Sequence, residues 1–429
     1  MIERTEWWRN DRFGMFIHWG PYAVAARGEW VKSDEKMTTK DYQKYVDAFV
    51  PSNYNPKTWA KLAKNAGMKY AVMTAKHHDG YCMFDSELTD YKFPEYNNGR
   101  DAIREYLEAF REEGLKTGLY YSLIDWHHPD YPNVGNHPMT GIQNWAKGKK
   151  FKWENYLEYM HGQIEELMTN YGKIDILWLD FSFESYVGEK WKASELISMI
   201  RKHQPDIIIN NRLTYNTGLS EGAKNFEGYG DFETPEQGVP EKGLVDGYGN
   251  PIPWETCLTL NNNWGYSSTD NEWKTDDLLI QTLVNCVSKN GNLLLNIGPD
   301  AQGTVPDEAE KELMEMGEWL AVHGESIYGC GKSSIKKPEW GYFTSKDELL
   351  YIHWIQPTIG HINIKSLDAS KVREVTILTT GKSAATATEW WGNRDPGNFF
   401  INLEEPTFKT YRLPDRRNTV LKVTMNKKE

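Results

Sequence analysis

His18, the triplet His77-His78-Asp79, the run Tyr120-Tyr121-Ser122, Asp180 after Trp178-Leu179, and Asn210-Asn211-Arg212 each end a short apolar stretch. These side chains can exchange hydrogen bonds, carry a proton or attack an electrophile. Asp180 closes an otherwise apolar run, where a carboxylate is costly to bury unless paired or hydrogen-bonded. On local pattern it reads equally as a nucleophile or as the cap of a following helix. Arg212 reads equally as a structural ion-pair partner or as a group that tunes a carboxylate. A metal site at His77-His78 meets two objections. Adjacent residues on a strand point to opposite faces, and the spacing is neither H-x-H nor H-E-x-x-H. Neutral histidines that bind hydroxyl groups fit better, so no metal and no cofactor is expected.

Cleavage of a glycosidic bond with retention needs two carboxyl groups about 5–5.5 Å apart, one ionised and one protonated. The segment Glu227-Gly228-Tyr229-Gly230-Asp231-Phe232-Glu233-Thr234-Pro235-Glu236 is rich in candidates. Its glycines and proline mark it as a loop. Spacing alone does not choose among Glu227, Glu233 and Glu236. Eighteen tryptophans and 24 tyrosines tilt the reading toward carbohydrate, because aromatic faces stack on sugar C–H faces. Ordinary core packing explains the same abundance.

The elements that must position these groups alternate along the first ~330 residues, as expected of a (β/α) barrel. Strands are predicted at Met15–Trp19, Lys69–Ala75, Lys116–Leu123, Ile174–Asp180, Asp206–Arg212, Pro253–Leu260 and Asn292–Ile297. Nearly continuous apolar runs at Ile174–Leu179 and Ile207–Ile209 suit parallel strands covered on both faces. The pattern supplies no eighth strand. Helices are predicted at 56–66 (Asn55 as N-cap, Gly67 beyond the end), 101–113, 153–170 and 308–323. In a barrel the active site gathers at the C-terminal ends of the strands, which is where the polar residues stand. After Gly331 short β-rich stretches follow, at 349–354, 361–364, 372–379, 399–403 and 419–424. They predict a C-terminal antiparallel β-sandwich over residues 331–429, behind a catalytic barrel over 1–330. Trp390 and Trp391 in that module read as packing residues rather than glycan platforms.

The chain has 429 residues, 39% hydrophobic and 26% charged, with a net charge of −12. That balance argues against nucleic acid or an anionic membrane as partner, since both need clustered Lys and Arg. No apolar run reaches the ~18 residues of a membrane span, and no signal-peptide core follows Met1. Cys82, Cys257, Cys286 and Cys330 are far apart and read as free buried thiols, which leans toward the cytoplasm.

Six strings, in order, resemble glycoside hydrolase family 29, the α-L-fucosidases. They are Phe13-Gly14-Met15-Phe16-Ile17-His18-Trp19-Gly20, Lys76-His77-His78-Asp79-Gly80-Tyr81-Cys82, Tyr120-Tyr121-Ser122 with Asp125-Trp126, Trp178-Leu179-Asp180, Trp254-Glu255-Thr256-Cys257 leading to Trp264-Gly265-Tyr266, and Gly291 through Pro299. The resemblance implies a barrel followed by a β-sandwich, a retaining mechanism without metal, and Asp180 as the nucleophile. It implies contacts to fucose from His18, His77, His78 and Tyr120, with Trp178 beside the reacting centre and Arg212 near the carboxylates. Glu29 and Trp30 look like the family's early loop over the sugar. Phe181 stands where the family often has glycine. The Asp231-Phe232-x-Thr234-Pro235-Glu236 pattern looks like the family's acid/base segment, with Glu236 as acid/base and Glu233 and Glu227 in reserve. The expected partner is a fucosylated oligosaccharide or glycoconjugate, and a homo-oligomer is compatible with the sequence. Two rival readings are an inactivated fucose-binding barrel and a metal-dependent barrel hydrolase.

Overall fold

A computed structural model of the chain describes residues 3–214, 230–365, 367–388, 398–403 and 412–426. Glu227, Trp390 and Trp391 lie outside the described residues. Seven parallel strands among those described form one curled sheet: β1 (Phe13–Ile17), β2 (Tyr70–Lys76), β3 (Lys116–Ser122), β4 (Ile176–Asp180), β5 (Ile208–Ile209), β6 (Glu255–Thr259) and β7 (Asn292–Ile297). Their spatial order is β5-β4-β3-β2-β1-β7-β6. Strand positions differ from the sequence expectation by one or two residues, except that β5 is far shorter than Asp206–Arg212.

Alternate residues of each strand enter different cores, as the two-residue repeat demands. Met15, Ile17, Met73, Leu119, Leu177, Leu179, Leu293 and Leu295 pack outward in the large core that takes in the helices. Phe16, Val72, Tyr120, Ile176, Trp178, Ile208 and Leu294 fill the barrel interior with Trp8 and Phe232. Burial on both faces explains why the strands read as unbroken apolar runs.

The edges of the curled sheet, β5 and β6, are joined by the segment 231–237. Asn210 bridges Phe232, while Glu233 bridges Trp254 and Glu236 bridges Cys257, all in parallel. Asp231 N donates to Ile209 O at 2.6 Å, and Cys257 N to Pro235 O at 3.0 Å. This segment occupies the eighth position of the barrel. It forms no regular strand, and what the sequence pattern did not show is its pairing with both edges: Pro235 has no N–H, so the pairing is broken into bridges and the local pattern looks like a turn.

The principal helices are α1 (Pro56–Asn65), α2 (Ala102–Glu112), α3 (Trp153–Asn170), α4 (Ala193–His203), α5 (Asp276–Val287) and α6 (Asp307–His323). Asn55 accepts the Lys57 amide at the start of α1, and Gly67 beyond its end has φ +84°. Asp101 accepts the Arg104 amide and starts α2. No helix among the described residues is long and apolar enough to cross a membrane.

Beyond the barrel, two antiparallel sheets face each other. One holds β8 (Gly331–Lys332), β9 (Gly341–Lys346), β10 (Leu349–Trp354), β12 (Val372–Ile377) and β15 (Thr419–Met425); the other holds β11 (Ile362–Lys365), β13 (Ala385–Ala387) and β14 (Asn398–Asn402). Ile352, Trp354, Ile364, Ile401, Leu421 and Val423 make their shared core. Tyr351 and Val420 turn the other way and join the barrel's core. Trp319 Nε1 on α6 donates to Asn418 O at 3.0 Å across that contact.

Candidate active site

Asp180, the last residue of β4, has the parity of Trp178 and therefore points into the barrel mouth. Its Oδ2 accepts the Tyr120 hydroxyl at 2.7 Å, and its Oδ1 accepts Arg212 Nη1 at 2.8 Å. Tyr120 shares the inner face because β3 pairs with β4 in register, Tyr120 opposite Trp178. Burial pushes the Asp180 carboxyl up, but the Arg212 charge, followed by His78 and Tyr120, more than offsets it and holds it below the usual range. Tyr120 is driven above its ordinary value by burial and by Asp180, so it stays a donor.

Arg212 reaches Asp180 because the chain leaves the sheet early. Asn210 replaces the backbone ladder with its side chain, accepting Leu179 N and donating to Leu179 O, both at 2.9 Å. The guanidinium then spans the barrel. Nε donates to Thr234 Oγ1 at 2.9 Å, and Nη2 donates to Glu236 Oε2 at 2.7 Å. It also lies 4.4 Å over the Trp178 ring. One arginine thus ties together the two carboxylates, Asp180 and Glu236.

Phe232, Thr234 and Glu236 share one parity on the closing segment: Phe232 fills the barrel interior, Thr234 holds Arg212, and Glu236 reaches the cavity. Glu233 has the opposite parity. It accepts from Asn211 Nδ2, does not line the cavity, and is pushed up to about 7 by burial. A strand reading of the segment would have separated the two glutamates from sequence.

The histidines are set as acceptors. Ser122 Oγ donates to Ile124 O, so the His78 nitrogen 2.7 Å from Ser122 must donate to it. Asn296 Nδ2 donates to Trp264 O, which turns Asn296 Oδ1 toward His18 Nδ1 at 2.7 Å. In both rings Nε2 is left as a lone-pair acceptor. Burial pushes His18 down to about 3 and His78 to about 4, so both are neutral at ordinary pH. His77 is also lowered by burial, and its Nδ1 finds no partner. His77 and His78 lie beyond β2, with ring centroids 4.2 Å apart, so strand alternation does not separate them as expected. Among the described residues no group of three His, Cys, Asp or Glu has metal-binding geometry.

These groups line a cavity of about 180 Å³ together with Phe16, Trp30, Phe181, Ser182, Phe183, Cys257 and Trp264. Of the residues expected from sequence, His18, Trp30, His77, His78, Tyr120, Trp178, Asp180, Arg212 and Glu236 line it. Glu29 does not. Its buried carboxylate accepts Gly265 N at 2.7 Å, which braces the Trp264 segment against the loop that carries Trp30. Phe183 and Asn296 were given no role from sequence, and Ser122, named at its strand end, was not assigned its part in orienting His78. Ser122 and Asn296 carry a readable signal, an uncharged polar residue of inner parity at a strand end.

The α-L-fucosidase family model matches residues 2–325. The chain is 50% identical to α-L-fucosidase isoenzyme 1 from Paenibacillus thiaminolyticus, with TM-score 0.94 over 99% of each chain. It is 26% identical to a family 29 α-L-fucosidase from Bacteroides thetaiotaomicron, with TM-score 0.83 over 100% of this chain and 97% of that one. That enzyme was trapped as a covalent intermediate with 2-fluoro-fucosyl fluoride. Tissue α-L-fucosidase from Homo sapiens is 27% identical over 430 residues, 93% of this chain and 85% of the human one.

Proposed function

The chain belongs to the α-L-fucosidase family of retaining glycoside hydrolases, and from that premise we propose that it removes terminal α-L-fucosyl residues from oligosaccharides or glycoconjugates, with Asp180 as nucleophile and Glu236 as acid/base. The observation that carries this reading is the Arg212 guanidinium joining those two carboxylates on the wall of one small cavity. Asp180 attacks the anomeric carbon while Glu236 protonates the departing glycosidic oxygen. Arg212 and Tyr120 keep Asp180 ionised for the attack. The Glu236 carboxylate left by proton transfer is the form that Arg212 pairs with, and it then takes the proton of the water that releases fucose.

The Nε2 lone pairs of His18 and His78 accept sugar hydroxyl protons. His77 and the Trp178 face complete the seat, and the hydrogen bonds behind the histidines fix their orientation before substrate arrives. Glu29 acts at one remove, through Trp264 and the loop bearing Trp30.

The test is an assay of an aryl α-L-fucoside, 2′-fucosyllactose and a Lewis-type trisaccharide, following the first-formed anomer by proton NMR. Release of α-fucose supports retention. Initial release of the β-anomer, or no turnover of the aryl fucoside, rejects the reading.

A further inference from the structure

The cavity has a buried floor and a half-open mouth. His18, His77, His78, Tyr120, Trp178 and Asp180 are buried. Trp30, Phe181, Phe183 and Trp264 are half-buried, and the Glu236 side chain is 38% exposed. A terminal sugar held on the floor must pass its substituents out between these mouth residues.

Phe183 owes its place there to a strained path. Phe181 has φ +82°, a left-handed backbone that strains a residue with a Cβ and persists only where its surroundings enforce it. That turn allows three successive residues, Phe181, Ser182 and Phe183, to line the same cavity, which a regular strand would forbid. Ser182 is anchored by its hydroxyl bond to Leu213 O and by the Trp191 Nε1 donor, both at 3.1 Å. Phe183 and Tyr186 exchange backbone hydrogen bonds of 3.1 and 2.7 Å, and their rings stack at 5.1 Å and 15°. Behind the ring edge stands Gly135, with φ +56°, where any Cβ would lie 2.7 Å from Phe183. Tyr186 stacks against the Phe183 ring, Gly135 crowds its edge, Phe181 packs beside it at 5.8 Å and 59°, and the half-buried ring lines the cavity.

Resting on the fucosidase reading, we propose that Phe183 is the platform on which the first sugar of the leaving group stacks, so that the enzyme favours saccharide leaving groups that present a flat C–H face. The ring has no hydrogen-bonding group, so it discriminates by contact area rather than by reading individual hydroxyls. Rigid backing keeps the ordering cost of that contact low.

The test compares two substrates in wild type, Phe183→Ala, Phe183→Leu and Phe183→Tyr. α-L-Fucosyl fluoride has a one-atom leaving group that cannot reach the mouth. The second substrate is whichever of 2′-fucosyllactose, 3-fucosyllactose or a Lewis-type trisaccharide the wild type cleaves best. The ratio of kcat/KM for the oligosaccharide to that for the fluoride should fall about tenfold in Phe183→Ala, the size of one lost aromatic contact. It should fall similarly in Phe183→Leu, which keeps apolar bulk without the flat face, and return in Phe183→Tyr. An unchanged ratio in both Phe183→Ala and Phe183→Leu, or equal losses on both substrates, overturns the platform alone. Failure of the wild type on fucosyl fluoride overturns the fucosidase reading and the platform with it.

Discussion

The barrel has two unlike arcs. From β1 to β4 the strands are five to seven residues long and pair in ladders with one register shift, between Thr74 and Lys76 on β2, and their ends deliver His18, Tyr120 and Asp180 to the mouth. From β5 through 231–237 to β6 the pairing is a two-residue strand and a series of bridges, with Asn210 standing in for backbone. The regular arc places the proposed nucleophile at a fixed depth, 7% exposed. The irregular arc lets Arg212 swing inward and leaves Glu236 partly open to the mouth, where an incoming water must reach it. The difference in backbone regularity leaves one carboxyl group shielded and the other accessible.

Removing the regular arc's carboxylate should have the largest effect. Asp180→Gly should lower kcat on the order of 10⁴-fold while the protein stays folded. Azide should then yield the β-fucosyl azide, since it attacks from the vacated side. A variant that keeps a tenth of its activity would show that the nucleophile lies elsewhere.

On the irregular arc, Glu236→Ala should slow fucosides with poor leaving groups by about 10³-fold and activated aryl fucosides far less at the first step. Azide should give the α-fucosyl azide, because the nucleophile still attacks first. Glu233→Ala should do none of this, because its side chain has the opposite parity. The reverse result would move the acid/base three residues upstream and break the contrast between inner and outer faces of the closing segment.

Arg212 joins the arcs, so Arg212→Met tests the tie itself. Its loss leaves two carboxylates uncompensated, and kcat should fall about 10²-fold. Asp180 would lose the charge that holds it below the usual range, so the acid limb of kcat/KM should move to higher pH. An acid limb that stays put would mean that the Tyr120 hydroxyl suffices to keep Asp180 ionised.

The smallest effect concerns stability. Glu255, on β6 inside the barrel, accepts from Trp8 Nε1 at 3.2 Å and from Tyr70 Oη, and burial pushes it up to about 7 from 4.5. Its folded pKa lies above its unfolded one, so the folded state takes up a proton between them. The stabilisation is present below pH 4.5 and is lost as pH rises through about 7. Thermal melts of Glu255→Gln, which keeps an acceptor but cannot ionise, should decline less over that window, with Tm differing by ~2 °C at pH 7.5. Parallel curves for variant and wild type would place the pH response in other raised carboxyls, among them Asp11, Glu29 and Glu233.

Much of this was readable without coordinates. The cap at Asn55, the span of α3 and the continuous apolar runs of β4 and β7 follow from local rules that the sequence obeys. So does the common parity of Trp178 and Asp180 at the end of β4, because two-residue alternation and polar strand ends are local signals, whereas the Tyr120 contact needs the β3–β4 register. Glu29 stands off the cavity wall for a reason that no local signal carries: nothing near it in sequence announces the Gly265 amide that its carboxylate accepts.

Sequence alone thus determined the strand–helix alternation, the β-rich module behind it and the row of polar strand ends, since each depends on neighbours a few residues away. Only the tertiary structure decided the eighth position of the barrel, and with it which glutamate faces the cavity. The segment 231–237 pairs with one edge supplied by Ile209-Asn210 and another by residues 253–257, and its glycine- and proline-marked surroundings hide that pairing from any local reading. Parity has a meaning only once those two edges are in place, because the barrel interior, not the chain itself, defines which side of a strand is inside.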